Sequence, residues 1–194
     1  MKKFVAALVV MLASAQAYSA GLEVDLSEES GEFSYLMNTR QVEGALDLSL
    51  NLFYNEREDV MLSVGMLSLG QQAEYGRPLQ LGVGGKVYGG QLMDEREILA
   101  LGIGGRLAYI VPSSISPLTA VAELYFAPSV TSFSGAERFM DLNTRVELEI
   151  TPTARGFVGY RLTTVRMDGA EDDMELDDNM HVGVRFNFAA RGYR

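Results

Sequence analysis

The sequence predicts an all-β protein: an antiparallel up-and-down transmembrane β-barrel of about ten strands, with eight as the fallback. Three observations carry this. Segments of about ten residues alternate apolar and polar side chains along the chain, and turn residues separate them. No helical period competes over a comparable length, and no apolar run approaches the ~20 residues a spanning helix needs. The chain also begins like an exported protein. Met1-Lys2-Lys3 is basic, Phe4 to Ala13 is apolar, and Ala15-Gln16-Ala17 offers small residues where a signal peptidase reads. Residues 1–17 are therefore read as a signal peptide, with cleavage after Ala20 as the alternative. Residues 18–188 are read as the barrel and 189–194 as a short C-terminal tail.

The strands follow in order. Two weaker segments open the set, Leu22 to Leu26 and Phe33 to Asn38, with Glu28-Glu29-Ser30-Gly31 as the turn between them. Leu46, Leu48, Leu50 and Leu52 then alternate with Asp47, Ser49 and Asn51; Val60, Leu62, Val64 and Met66 alternate with Met61, Ser63 and Gly65. Leu79, Leu81, Val83 and Val87 oppose Gln80, Gly82, Gly84 and Lys86. Leu99, Leu101, Ile103, Leu107 and Tyr109 oppose Ala100, Gly102, Gly104 and Arg106. Leu118 to Phe126 sets Leu124 and Phe126 against Glu123 and Tyr125. Met140 to Ile150 sets Leu142, Val146 and Leu148 against Asp141, Arg145 and Glu147. Val158, Tyr160 and Leu162 oppose Phe157, Arg161 and Thr163, and the last strand, Met180 to Phe188, alternates without a break. Successive strand side chains point to opposite faces, so each segment has one apolar and one polar face.

An even strand number puts both chain ends in the periplasm. The stretches Thr151 to Ala154 and Val111 to Pro117 become periplasmic turns. Asn55 to Asp59, Met93 to Glu97, Thr131 to Arg138 and Met167 to Asn179 become outer loops. Alternation alone leaves open which face is outside, and a soluble lipocalin-like barrel would turn the apolar face inward. The signal peptide, a polar face rich in Gly, Ser and Thr, and aromatics toward strand ends favour the membrane. Those aromatics are Phe53, Tyr54, Phe126, Phe139, Phe157, Phe186 and Phe188, expected at lipid head-group level.

Composition narrows the function. The chain has no cysteine, which excludes a lipoprotein anchor, a disulfide framework and thiolate metal sites. The formal charge is -10, and loss of Lys2 and Lys3 with the signal takes it to -12. A chain this acidic is a poor partner for nucleic acid, which needs clustered Lys and Arg.

Phe186-Asn187-Phe188 ends the last strand, with Gly183 five residues before Phe188. This resembles the terminal strand of bacterial outer-membrane barrels, although six residues follow it here. The resemblance implies recognition by the outer-membrane assembly machinery, delivery by periplasmic chaperones, and residence in the outer membrane of a Gram-negative bacterium. Gly102-x-Gly104-Gly105, Glu123-Leu124-Tyr125-Phe126-Ala127-Pro128 and Phe157-Val158-Gly159-Tyr160-Arg161 carry a further resemblance, to the YfaZ family of outer-membrane barrel proteins. It covers most of the chain beyond the signal and is weakest over the first forty residues. It implies a porin-like membrane protein without a defined biochemical role, with outer-membrane lipids including lipopolysaccharide around it, and it brings no catalytic residues.

If the polar faces point into the lumen, the acids there are Glu23, Asp25, Asp47, Glu123, Asp141, Glu147 and Glu149. The bases are Lys86, Arg106, Arg145, Arg155, Arg161 and Arg185. The two sets nearly cancel, which favours a lumen filled by a hydrogen-bonded ion network, since buried charges must be paired. The rival is a narrow aqueous pore for small solutes or ions. Small barrels fill with side chains, which favours the first. Gly82, Gly84, Gly102 and Gly104 are read as room for long side chains opposite and as points of curvature. Gly82-Val83-Gly84-Gly85-Lys86 lacks the phosphate-loop spacing.

His181, the single histidine, is expected at the outer end of the last strand beside Asp177 and Asp178. A rim hydrolase acting on lipid or peptide would use it as base, with water or Ser134 as nucleophile. A His bonded to rim carboxylates is the simpler reading, so no residue is assigned a catalytic, cofactor-binding or metal-binding role and no enzyme is expected. Asp168, Glu171, Asp172, Asp173, Glu175, Asp177 and Asp178 crowd one stretch with no base among them. They lack the EF-hand spacing but permit weak binding of a divalent cation such as Ca²⁺ or Mg²⁺. The expected function is a small outer-membrane barrel with a structural or surface-interaction role, a narrow channel being the alternative.

Overall fold

Alternating strands leave no exposed hydrogen-bonding edge only when the sheet closes on itself. That is the architecture of the computed structural model, which describes residues 19–41, 44–70, 78–92, 96–111, 118–170 and 172–188. The signal peptide and the tail after Phe188 lie outside the described residues.

Ten strands form the wall: β1 (Ser19–Ser27), β2 (Ser30–Gln41), β3 (Gly44–Asn55), β4 (Val60–Leu69), β5 (Leu79–Gln91), β6 (Glu97–Val111), β7 (Leu118–Ala127), β9 (Ala136–Thr151), β10 (Ala154–Met167) and β11 (Met174–Phe188). Each is antiparallel to the next, and β1 closes the ring on β11, from Ala20 opposite Phe188 to Ser27 opposite His181. The two-residue β8 (Ser132–Phe133) continues the wall beyond the end of β7 by pairing with Leu99 and Ala100 of β6. The two weak N-terminal segments are full strands, so the larger expected count holds.

The apolar faces point outward. Strand β4 alternates without a break: Val60, Leu62, Val64 and Met66 are exposed, while Met61, Ser63, Leu67 and Leu69 are buried, the last two extending an apolar lining inside. Inside, Glu23, Asp25, Glu147 and Arg161 are each no more than 5% exposed, which a soluble barrel with an apolar interior would not show. The end at which β1 starts and β11 finishes is called basal and the opposite end distal.

Three expectations need correction. The expected loop from Met167 to Asn179 shrinks to residues 168–173, because β11 begins at Met174. Thr163 pairs with Asp177 but Thr164 pairs with Glu175, so Leu176 is an extra residue, a β-bulge. Leu176 and Asp177 consequently both turn inward, at 4% and 3% exposure, and the period-2 pattern that would have revealed the strand is broken there. Likewise β9 starts at Ala136, so Arg138 belongs to the wall and the preceding turn is shorter. Finally, Phe53, Phe139 and Phe157 are buried inside rather than facing head groups. Each follows or precedes an outward residue by one position, and the pleat sends it inward. Tyr54, Phe126, Phe186 and Phe188 do face outward.

Candidate functional site inside the barrel

The lumen has two parts. Toward the distal end, inward residues of eight strands meet in an apolar cluster: Phe53, Met61, Tyr88, Ile98, Ala127, Phe139, Val165 and Leu176 are all at most 7% exposed. The Tyr88 and Phe139 rings lie 4.4 Å apart, tilted by 43°. The β3–β4 turn leans over the short β1–β2 hairpin and completes the closure. Asn55 Nδ2 donates to the Leu176 carbonyl at 3.0 Å, and Arg57 Nη1 donates to the Glu175 carbonyl at 2.9 Å. The turn itself is held by Asn55 Nδ2 on Asp59 Oδ2 (2.9 Å), with Glu58 at φ 63°.

Toward the base the lumen is charged. Arg145 Nη1 reaches Glu23 Oε1 at 3.0 Å and its Nε reaches Glu147 Oε1 at 2.8 Å. Arg185 pairs with the other oxygen of Glu23 at 2.5 Å. Arg106 joins Glu123 (2.5 Å) and Asp47 (3.1 Å), while Arg155 meets Glu149 at 3.4 Å and Glu147 at 3.7 Å. Lys86 Nζ and Tyr88 Oη both donate to Asp141 Oδ2, at 3.0 and 2.7 Å, so one carboxylate ties the charged part to the apolar part.

All thirteen side chains expected in the lumen are there and paired: seven acids and six bases. Two further acids, Glu32 and Asp177, join them through Arg161. The described network therefore holds nine acids against six bases and is more acidic than the sequence suggested. Glu32 was hidden in a strand with weak alternation and Asp177 behind the bulge.

His181 sits elsewhere than expected. It lies near the middle of β11, 1% exposed, with Nδ1 2.9 Å from Asp25 Oδ1 and its ring 5.8 Å from Phe157. The approach to Asp25 is not a well-angled hydrogen bond, and both imidazole nitrogens lack a hydrogen-bond partner among the described residues. Ser134, with φ 56°, is in the distal turn ahead of β9, whereas the contacts of His181 come from Asp25 and Phe157. Asp177 is engaged by Ser30 Oγ at 2.8 Å and by Arg161 at 3.4 Å. Of the acidic stretch, Asp173 bridges Arg138, which is distant in sequence, and Arg166, just ahead of the turn. Among the described residues no three His, Cys, Asp or Glu side chains gather to hold a metal.

The glycines sit where backbones crowd. Gly84 faces Gly104 across β5 and β6, and a Cβ on either would strike the backbone of the adjoining strand. A Cβ on Gly102 would press on Tyr125 and Tyr88, both at 3.3 Å. The room at Gly102 is thus used by tyrosines, as expected, and that at Gly82 by Leu67 and Leu69. Between the charged side chains a cavity of about 410 Å³ remains, bordered toward the base by Gly21, Pro152, Thr153 and Asn187.

A family model described as YfaZ precursor matches residues 1–188. No curated protein sequence matches the chain. Among solved structures it is similar to one titled "KdgM porin", at 11% identity and TM-score 0.43, over 88% of this chain and 99% of that one. It is also similar to one titled "Bacterial polysaccharide outer membrane secretin", at 8% identity and TM-score 0.43, over 87% of this chain and 70% of that one.

Proposed function

The chain belongs to the YfaZ family of barrel precursors, and from that premise we propose a small outer-membrane barrel with a structural or surface-interaction role, without catalysis and without a conducting lumen. The observation that carries this reading is the distal plug. Tyr88, Phe139 and Val165 are essentially unexposed, and the β3–β4 turn at the distal rim is bonded past the β1–β2 hairpin to the Leu176 carbonyl of β11. An ion crossing that layer would have to shed water between packed rings, where the charged groups at hand, Arg161, Asp25 and Asp177, are already paired with one another. Both termini face the periplasm in this reading, so the charged cavity opens to the periplasm and the plug faces outside.

The cavity at the base supports the second reading, a narrow channel whose plug moves. Current recordings on the purified chain in planar bilayers decide between them. Silence is expected. Steady, reproducible conductance would overturn the closed-barrel reading and establish the channel. A His181-dependent product from lipid A or a surface peptide would overturn the absence of catalysis.

A further inference from the structure

Two arginines interrupt the apolar outer surface at the distal rim. On β9 the outward side chains run Ile150, Leu148, Val146, Thr144, Leu142, Met140 and then Arg138; on β10 they run Val158, Tyr160, Leu162, Thr164 and then Arg166. The register places Arg138 directly opposite Arg166. Their direction is fixed by the inward neighbours Phe139 and Val165, which are at most 1% exposed. Like charges opposite one another across strands repel, so this pair calls for an anion.

Asp173, from the β10–β11 turn, supplies one. Its Oδ2 is 2.5 Å from Arg138 Nη2 and its Oδ1 is 2.9 Å from Arg166 Nε. One carboxylate against two guanidiniums leaves one positive charge. Among the described residues Arg138 is engaged through Nη2 and Arg166 through Nε, so the remaining donors are open to a further oxyanion. Guanidinium forks match phosphate oxygens in paired geometry, which an ammonium cannot do. Arg138 lies two residues beyond Met140, roughly 7 Å along the strand, where the apolar belt gives way to head groups.

We propose that Arg138 and Arg166 form a binding site for the phosphate of an anionic lipid head group in the outer leaflet, with Asp173 bridging the two guanidiniums and competing with the phosphate for them. The ligand class is a phosphorylated glycolipid. Exposed Asp172 and Glu175 nearby would repel a free anion, whereas a head group is held at the rim by its own acyl chains. The inference deepens the surface-interaction role and rests on the distal end facing outside.

The test uses the purified full chain in a neutral detergent, with folding checked by heat-modifiable mobility. Wild type, the R138Q/R166Q double variant and D173N are titrated with bisphosphorylated lipid A, lipid A stripped of phosphate, phosphatidylglycerol and inorganic phosphate. Occupancy is read by native mass spectrometry. Wild type should prefer bisphosphorylated lipid A, and the double variant should bind it about tenfold more weakly or worse. D173N, which removes the competing carboxylate, should bind it more tightly, and it keeps the test alive should the double variant fail to fold. Equal binding by the folded double variant, or of stripped lipid A by wild type, would overturn the site. Inorganic phosphate bound as tightly as lipid A would overturn the lipid as its source. An arginine-dependent preference for phosphatidylglycerol would keep the phosphate site and overturn its outer-leaflet placement, a failure of the orientation that leaves the conductance result untouched.

Discussion

The two halves of the lumen solve one problem in opposite ways. A ten-strand ring has an interior that must be occupied, because voids forfeit contacts and unpaired polar groups lose water. The distal half occupies it with Phe53, Tyr88, Phe139 and Val165, which need only fit. The basal half occupies it with Arg145, Arg185, Glu23 and Glu147, which must also pair in register. Packing tolerates a lost group by partial collapse, whereas a buried ion network leaves an uncompensated charge. The charged half is thus the more brittle, and it is also the half with the cavity and water access.

That contrast orders the expected effects. Arg145→Leu should be the most damaging, because it removes the base that Glu23 and Glu147 share, both at most 5% exposed, and leaves Arg185 to serve the two buried carboxylates. Breaking a buried pair costs about 3–5 kcal/mol, here read from the urea midpoint of the heat-modifiable form. An unchanged midpoint would mean that water, not arginine, satisfies those carboxylates.

Phe139→Ala should cost about the same or slightly less, roughly 3–5 kcal/mol for a buried phenylalanine, but with a different second readout. It opens space beneath the distal mouth, so bilayer recordings should show brief openings that Arg145→Leu lacks. Equal silence in both would mean that the β3–β4 turn, rather than the ring stack, seals the mouth.

Leu48→Arg and Ser49→Arg compare the outer wall with the cavity wall at adjacent positions. Charge on the lipid face near mid-membrane costs ~2–4 kcal/mol, while Ser49 borders the 410 Å³ cavity and has room for a longer side chain. A more damaging Ser49→Arg would show that the basal half is as tightly filled as the distal half.

The smallest effect is at the distal rim. The slight burial of Asp173 works against its ionisation, but the hydrogen bond and charge of Arg138, then those of Arg166, hold its carboxyl below the ordinary aspartate value of 3.8. A carboxyl held low in the folded state contributes order that is present above its unfolded value and lost as pH falls through the folded one. The hydrogen-exchange rate of residues 168–170 and 172–173, taken relative to the intrinsic amide rate at each pH, should therefore stay constant from neutral pH down to about 4 and rise only below it, and D173N should show no such rise. A rise already near pH 6 would point to another group.

Most of the fold was legible in the sequence because a strand writes its facing into every second residue. Leu46 to Leu52, Val60 to Met66 and Met140 to Ile150 each named their outward face correctly, and all thirteen expected lumen charges are inside. Legibility failed where that code is interrupted. The bulge at Leu176 hid six residues of β11 and placed His181 at a rim it does not occupy. Aromatic residues were misread because ring type suggests a head-group girdle, while the pleat alone decides that Phe53, Phe139 and Phe157 point inward.

The sequence by itself determined the barrel, its approximate strand number, the export signal at its start and the pool of charges within it, since all of these follow from local periodicity and composition. Only the tertiary structure decided which charge meets which, that an apolar cluster gathers in the distal half, and that Arg138, Arg166 and Asp173 form one cluster. Those are long-range facts. Arg161 meets Asp25 across 136 positions and Arg185 meets Glu23 across 162, and no local pattern specifies the register that brings such residues together.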